Sequence, residues 1–348
     1  MSSGATDYMG SNGSGADFNA YPALAAGSSH TISGFVESKG DHIIVPIGTT
    51  WNAAASGNDV QITLSGTESG TILLKNVALG SLDGSEVIVA NLVTGPSTSG
   101  AIVAASASAT GPSFIQAGNS TAGISQFVVG GTSGDVLVGG NGADYYCFAG
   151  GQNAGNETIA NFSPGKGDAI LLGPGTSGTA VASGNDVVVT LANSLGTITL
   201  KGVAGELSQI QSSIGTWIQG SSGGGDTVSA TGVTLGGSAG YFLQAVNGSG
   251  TTTALVAGSG LNEYFAGNSA AGAVEYDFHA LTGGEKETVI GFNAGKGDFI
   301  HLASGETYAL ASNSSGGTTV TVTISTGVTS TVVLTGIVES SVLSGWFH

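Results

Sequence analysis

The stretch ETIANFSPGKGDAILL, residues Glu157–Leu172, occurs in two further versions along the chain. The first version, HTISGFVESKGDHIIV, spans His30–Val45, and the third, ETVIGFNAGKGDFIHL, spans Glu287–Leu302. In each version a phenylalanine precedes the aspartate of a Lys-Gly-Asp triplet by six positions. Self-similarity at a fixed period indicates tandem units, here of about 128 residues. The three aspartates, 127 and 130 residues apart, are Asp41, Asp168 and Asp298.

The similarity between the units extends downstream of this stretch. SGNDVQITL, from Ser56, matches SGNDVVVTL, from Ser183, and TILLKNV, from Thr71, matches TITLKGV, from Thr197. The third unit diverges to TTVTVTIS and TVVLTGI. This collinearity indicates that whole units are repeated.

The local patterns are those of strands. Short runs of β-branched residues alternate with Ser-Gly, Asn-Asp and Gly-Lys-Gly-Asp turns. The best helix candidate is GELSQIQSSIG, Gly205–Gly215, and SVLSG near the C-terminus predicts one further turn. The sequence therefore predicts an all-β protein of three tandem β-roll-like or β-sandwich-like units, at residues 1–110, 111–235 and 236–348.

The charge balance narrows the class of partner. The 348 residues include 6 Lys+Arg and 23 Asp+Glu, for a net charge of −17. A phosphate backbone or an anionic membrane surface requires clustered cations, so nucleic acid is not expected as a partner. Excess carboxylate favours divalent cations, and calcium prefers oxygen ligands. No apolar run is long enough for a membrane-spanning helix, and the N-terminus has no classical signal-peptide pattern.

Two consecutive nonapeptides precede the second Lys-Gly-Asp stretch. GGTSGDVLV spans Gly130–Val138, and GGNGADYYC spans Gly139–Cys147. Each reads as a glycine-rich turn, whose glycines are expected to take unusual backbone angles, followed by a short strand. Stacked turns of this type bring Asp side chains and turn carbonyls around a cation. Asp135 and Asp144, nine residues apart, are the aspartates of these turns.

These nonapeptides resemble the RTX, or hemolysin-type calcium-binding, repeats of type I secreted bacterial proteins. The stretch from Glu157 also resembles the segment that often follows such repeats, although many family members carry Asp at that position. The resemblance implies a β-roll with short RTX-type turns, bound Ca²⁺, and an extracellular or cell-surface location reached by type I secretion. With two consecutive nonapeptides, a site of the family type needs further groups to complete it.

The candidate metal ligands come from all three units. Asp17 stands 24 positions before Asp41, as Asp144 stands before Asp168. In the third unit, Asn262 and Val274 replace the two aspartates, and Glu263, Glu275 and Asp277 are possible substitutes. The alternative interpretation is that these aspartates only form turns, and for the Lys-Gly-Asp aspartates a tight turn without an ion is favoured. The candidates are Asp7, Asp17, Asp41, Asp135, Asn141, Asp144, Glu157, Asp168 and Asp298.

No catalytic constellation emerges from the sequence, and we do not expect an enzyme. Residues Gly236–Gly240 match G-x-S-x-G, but within a Gly/Ser-rich β region instead of a strand–turn–helix elbow. The five histidines lack zinc-motif spacing, and Cys147 fits a buried hydrophobe better than a nucleophile.

The sequence predicts an extracellular, calcium-dependent structural protein that self-assembles into a filament, sheet or surface layer. Its expected partners are copies of itself, with cell-surface polysaccharide as a further candidate. The chain begins with a pair of turns of the repeat type. This fits a junction between two copies in which the neighbouring copy completes the turns. The alternative is a monomeric secreted adhesin or carbohydrate-binding protein, although Trp51, Trp217 and Trp346 are far apart in sequence. A third possibility, a secreted hydrolase, would require a catalytic domain where the repeats lie.

Overall fold

The predicted all-β class is confirmed. Within the part of the chain that the structure describes there are 29 β-strands and a single short α-helix, together with short 3-10 turns. The computed structural model describes residues 6–8, 18–21, 26–96, 101–106, 109–118, 126–131, 134–149, 155–220, 225–231, 233, 240–246, 251–258, 263–267, 272–314 and 316–348.

The first third of the chain contributes nine strands. They are β1 (Thr6–Tyr8), β2 (Phe18–Ala20), β3 (Ser28–Ser33), β4 (His42–Pro46), β5 (Thr49–Ser56), β6 (Asp59–Gly66), β7 (Gly70–Lys75), β8 (Val87–Thr94) and β9 (Ile102–Ala104).

The middle third contains ten strands and helix α1. They are β10 (Ser113–Gln116), β11 (Gln126–Val129), β12 (Val136–Val138), β13 (Asp144–Phe148), β14 (Gly155–Ala160), β15 (Ala169–Leu172), β16 (Gly178–Ser183), β17 (Asp186–Leu191), β18 (Gly196–Leu200), α1 (Leu207–Ser212) and β19 (Ile214–Gln219).

The last third contains ten further strands. They are β20 (Thr227–Ser229), β21 (Tyr241–Gln244), β22 (Thr253–Val256), β23 (Glu263–Ala266), β24 (Val274–Asp277), β25 (Lys286–Ile290), β26 (Phe299–His301), β27 (Thr307–Ser312), β28 (Thr318–Thr323) and β29 (Thr329–Leu334).

From β8 to β15 the chain coils between two facing sheets. Strands β8, β10, β12 and β14 are parallel neighbours in one sheet, and β9, β11, β13 and β15 are parallel neighbours in the other. Each coil therefore places one strand in each sheet, which is the arrangement of a parallel β-roll. Phe114 lies opposite Val136 in the first sheet, and Phe127 lies opposite Tyr145 in the second.

The three Lys-Gly-Asp stretches form the same module. A first strand (β3, β14 or β25) leads through a 3-10 turn into a strand of the facing sheet, and two hairpins then return the chain beside the first strand. The returning strands β7, β18 and β29 pair in parallel with β3, β14 and β25. The 3-10 turns are Glu37–Lys39, Pro164–Lys166 and Ala294–Lys296.

Each module packs a core between its two sheets. Ile43 and Ile62 belong to the first core, Leu137 to the second, and Leu255 and Val322 to the third. Period-two alternation builds these cores, since inward-facing residues are buried while their neighbours point outward, as the burial pattern of β17 shows.

The long sheets connect the modules. One sheet has ten strands and joins β8 to β10, and the other has eleven and joins β19 to β21. In sequence, the predicted boundary at residue 110 comes between β8 and β10, and that at residue 235 comes between β19 and β21; the division into domains stays a prediction.

The predicted helix is confirmed as α1, within Gly205–Gly215, and a 3-10 turn at Ser344–Trp346 follows SVL near the C-terminus. None of the helices in the described part of the chain has the length and apolar character needed to cross a bilayer.

Candidate metal-binding turns

The aspartate of each Lys-Gly-Asp triplet closes its own turn. All three side chains are buried, and in each the Oδ2 atom accepts a hydrogen bond from the backbone N–H five residues earlier. The glycine before each aspartate has a φ of 83–93°, in the left-handed region that favours glycine. The donors are Val36, Ser163 and Asn293, at 2.7, 2.8 and 2.8 Å from Asp41, Asp168 and Asp298. This geometry accounts for the conformation of the turns through hydrogen bonds alone.

In Asp168 and Asp298 the second carboxylate oxygen connects neighbouring coils. Oδ1 of Asp168 accepts a 2.9 Å hydrogen bond from the N–H of Asp144, and Oδ1 of Asp298 accepts one of 2.9 Å from the N–H of Val274. Val274 therefore keeps the backbone role of Asp144 although it has lost the carboxylate.

The two nonapeptide aspartates lie in different rows of turns. Asp135 precedes β12, and its carboxylate accepts hydrogen bonds from Ser113 N and Gly131 N, both at 2.7 Å. Asp144 begins β13 in the facing sheet and accepts a 2.6 Å hydrogen bond from Gly140 N. The two aspartates are nine residues apart in sequence. Asp135 stacks on Glu157, 22 positions further along the chain, and Asp144 stacks on Asp168, 24 positions further along.

Three pairs of buried carboxylates result from this stacking. The N–H of Asp135 donates to Oε2 of Glu157 at 2.6 Å, and the N–H of Glu263 donates to Oε2 of Glu287 at 2.7 Å. The third pair is Asp144 with Asp168. All six side chains are at most 2% exposed: Asp135, Glu157, Asp144, Asp168, Glu263 and Glu287.

In each pair, burial strongly raises the pKa of the residue further along the chain. Burial raises the pKa of Glu157 to about 8, and the charge of Asp135 adds to the shift. Burial likewise raises the pKa of Asp168 to about 8, with a further contribution from Asp144. The pKa of Glu287 rises to about 9, through burial and then the charge of Glu263. Such pairs require either a proton or a cation, because two adjacent buried carboxylates disfavour each other's ionisation.

Glu157 and its third-unit counterpart also carry an unpartnered oxygen. Among the described residues, the buried atoms without a hydrogen-bond partner include Oε1 of Glu157, Glu263 and Glu287. A buried acceptor without a partner is costly, and an anionic oxygen is a ligand that Ca²⁺ prefers. The Asp135–Glu157 and Glu263–Glu287 pairs therefore fit a hard cation in charge and in ligand type.

The turn at Asp144 fits a cation less well. Nδ2 of Asn161 donates to the carbonyl oxygen of Gly139 at 2.8 Å and to that of Gly140 at 3.2 Å. Nζ of Lys166 also donates to the Gly140 carbonyl at 3.2 Å. The carbonyls that a stacked turn would offer to an ion thus already accept hydrogen bonds, one of them from a cation of the protein itself. The candidate Asn141 is exposed on this same turn.

Close packing explains two nonapeptide glycines for which unusual backbone angles were expected. A Cβ on Gly139 would collide with the Tyr146 hydroxyl, and a Cβ on Gly130 would lie 2.5 Å from the Phe148 ring. Positive φ is required instead at Gly134, where φ is 75°. The expectation of unusual backbone angles in these turns is therefore met at Gly134, whereas close packing is the constraint at Gly130 and Gly139.

Some sequence candidates fall outside what can be described. Asp7 lies in β1, and its side chain is not among the described ones, while Asp17 and Asn262 lie outside the described residues. Most of the G-x-S-x-G match also lies outside them. Sequence reasoning missed Glu287 and named Glu263 only as a substitute. The signal was in the alignment of the units: Glu287 begins ETVIGF just as Glu157 begins ETIANF, and Glu263 stands 24 positions before Glu287.

An aromatic pocket lies on the outer face of the eleven-stranded sheet. The rings of Phe242 and Tyr264 are stacked at 4.2 Å, and Tyr145 lies 4.9 Å from Phe242. Small residues between them, Ala169 and Ser213, help to leave a cavity of about 300 Å³. Pro164, Gly167, Asp168, Gln209 and Ser212 complete its lining.

No protein-family model matches the sequence, and no curated protein matches it. Among solved structures, the chain aligns with the extracellular lipase LipA from Serratia marcescens at a TM-score of 0.23 and 14% identity. The alignment covers 88% of this chain and 44% of the lipase, so the chain spans less than half the length of that protein. The RTX resemblance therefore stays a prediction.

Proposed function

We propose that this chain is an extracellular structural protein that assembles with copies of itself, in the presence of Ca²⁺, into a filament, sheet or surface layer. The observation that carries the proposal is a set of uncharged edge strands. Strands β5, β16 and β27 each end a sheet. Their sequences are TTWNAAAS, GTAVAS and TYALAS, without a charged residue or a proline.

Edge strands without such residues favour pairing between chains. Soluble proteins usually protect an edge with lysine, proline, a bulge or a covering element, because an unprotected edge pairs with other strands. The β16 edge is partly covered, since Gln211 of α1 donates a 3.2 Å hydrogen bond to the Ala180 carbonyl. Strands β5 and β27 are the better candidates, since Ala54 and Ala309 are exposed near their middles.

The buried carboxylate pairs support a role for Ca²⁺. A cation held by Asp135 and Glu157, and another by Glu263 and Glu287, would supply the positive charge that these sites lack. Calcium would then stabilise the turns outside the cell, whereas low cytosolic calcium would leave these buried carboxyl pairs without their cation until secretion. The extracellular location is part of the same proposal.

The proposal is tested by light scattering and electron microscopy with millimolar calcium added and then removed by a chelator. We expect ordered polymers or sheets that dissolve on chelation. Monomers in sedimentation experiments at millimolar calcium would overturn the assembly. Polymers that are indifferent to chelation would overturn its dependence on calcium.

The aromatic pocket favours a second candidate, a carbohydrate-binding protein. Stacked rings beside polar groups suit the apolar face and the hydroxyl groups of a sugar ring. Glycan-array binding by the wild type that is lost in Tyr264→Ala, but kept in Tyr308→Ala, would support this candidate. Tyr308 is a matched control because it stacks on Phe347, away from the pocket lining. An array without binding would count against it.

A further inference from the structure

Three metal-ligand side chains converge on the outer face of the sheet formed by β20, β22, β24 and β26, and a fourth lies against one of them. Glu275 and Asp277 lie on β24, His301 ends β26, and His279 follows β24 by two residues. The ligand atoms of Glu275, Asp277 and His301 all lie within 4.8 Å of one another. Nδ1 of His279 lies 2.6 Å from Oδ1 of Asp277.

Strand alternation produces this convergence. Val274, Tyr276 and Phe278 are fully buried in the third core, so the residues between and after them point to the opposite face. The parallel register places Asp277 directly opposite His301. One strand therefore supplies two carboxylates, and its neighbour supplies an imidazole.

The distances suit a transition metal. With bonds of about 2.0–2.1 Å to a tetrahedral Zn²⁺, neighbouring ligand atoms are about 3.3 Å apart. Nδ1 of His301 lies 3.0 Å from Oε1 of Glu275 and 3.5 Å from Oδ1 of Asp277. The His279 side chain is 51% exposed, which leaves its ring room to turn from its hydrogen bond towards an ion.

The other units show that the fold does not require these residues. By register, the positions of Glu275, Asp277 and His301 correspond in the second unit to Tyr145, Cys147 and Leu171. In the first unit they correspond to Phe18, Ala20 and Ile44. The same backbone thus carries apolar residues twice and ligand-type residues once.

We propose that Glu275, Asp277, His279 and His301 form a binding site for one divalent transition-metal ion, of which Zn²⁺ is the best match. Two imidazoles and two carboxylates are a mixed nitrogen and oxygen set, which suits Zn²⁺ better than Ca²⁺ or Mg²⁺. The site is separate from the buried carboxylate pairs and does not depend on the proposed assembly.

The test is a Zn²⁺ titration of tag-free protein against a chromogenic chelator, with calcium in excess. We expect one ion per chain, and at least about 100-fold weaker binding in His301→Gln, since removing groups that only orient a ligand already costs 10–100-fold. His279→Gln should also weaken binding, whereas His30→Gln should bind like the wild type. Circular dichroism checks that each variant is folded.

Co²⁺ provides a second readout, because the visible bands of a tetrahedral Co²⁺ complex report the geometry directly. We expect these bands in the wild type and their loss in Asp277→Asn. The proposal is overturned if the wild type cannot compete with the chelator. It is also overturned if His301→Gln binds as tightly as His30→Gln.

Discussion

The backbone N–H of Asp135 donates a 2.6 Å hydrogen bond to Oε2 of Glu157, while Oε1 of the same carboxylate is buried without a hydrogen-bond partner. The two residues are 22 positions apart in sequence and occupy successive coils of one sheet. Their stacking places two carboxyl groups side by side away from solvent, so the pair must hold either a proton or a cation. Several measurable properties depend on this arrangement.

Replacing Glu157 by glutamine should remove the part of the calcium response that belongs to the Asp135–Glu157 pair. The amide oxygen can still accept from Asp135 N, but the variant has lost the charge that attracts the cation. At a calcium concentration 100 times Kd, binding at one site stabilises a protein by about 2.7 kcal/mol, and the variant should lack this gain for one of the two proposed sites. Denaturant unfolding with calcium and with chelator measures the difference. Glu37→Gln, in a 3-10 turn outside the carboxylate pairs, is the control; equal calcium responses in the two variants would contradict the prediction.

Without calcium, the protein should become less stable as pH rises. Burial raises the pKa of Glu157, Asp168 and Glu287 to about 8, 8 and 9. Between about pH 4.5 and pH 9 the folded state therefore binds more protons than the unfolded chain, and the free energy of unfolding falls as pH rises. Each such group contributes up to about 1.4 kcal/mol per pH unit.

The pH dependence is measured by denaturant unfolding in chelator from pH 5 to pH 9. Calcium should flatten the curve, because the cation binds the ionised carboxylates. A stability that increases steadily with pH in chelator would show that these groups are not protonated in the folded state.

Asp168→Ala should destabilise the fold whether or not calcium is present. The substitution leaves the N–H groups of Ser163 and Asp144 without their acceptor, at a cost of about 1–3 kcal/mol for each. Asp298→Ala should behave similarly, because it removes the acceptor of Asn293 and Val274. If chelation abolished the difference between wild type and variant, a metal role for this aspartate would replace the turn role.

A lysine on an edge strand should block assembly. Ala54→Lys and Ala309→Lys place an exposed charge on β5 and β27, where an incoming strand would have to pair. Thr63→Lys is the matched control, because Thr63 is exposed on β6 between β5 and β7. Light scattering should show smaller particles for the edge variants only. If Thr63→Lys reduced the particle size as much as the edge variants did, the loss of assembly would be an effect of the added charge and not of blocked edge pairing.

The sequence predicted the local elements well because their causes are local. Lys-Gly-Asp turns, hairpins at Ser-Gly-Asn-Asp and the helix near Ile210 depend on residues a few positions apart. The pairing of Asp135 with Glu157 was not predicted, because it depends on which strands become neighbours in the roll. Glu275 and Asp277 were named as substitute ligands, but their convergence with His301 was not predicted, since His301 lies on another strand and the three have no familiar sequence spacing.

The two long sheets have a mechanical consequence. Strand β8 belongs both to the first module and to the ten-stranded sheet that continues into the second, and β19 connects the second module to the third in the same way. Melting one module would therefore strip hydrogen-bond partners from the next, and nearest-neighbour coupling of this kind propagates damage along a repeat array. The three modules are therefore expected to unfold together in one cooperative transition, because each shares a sheet with the next.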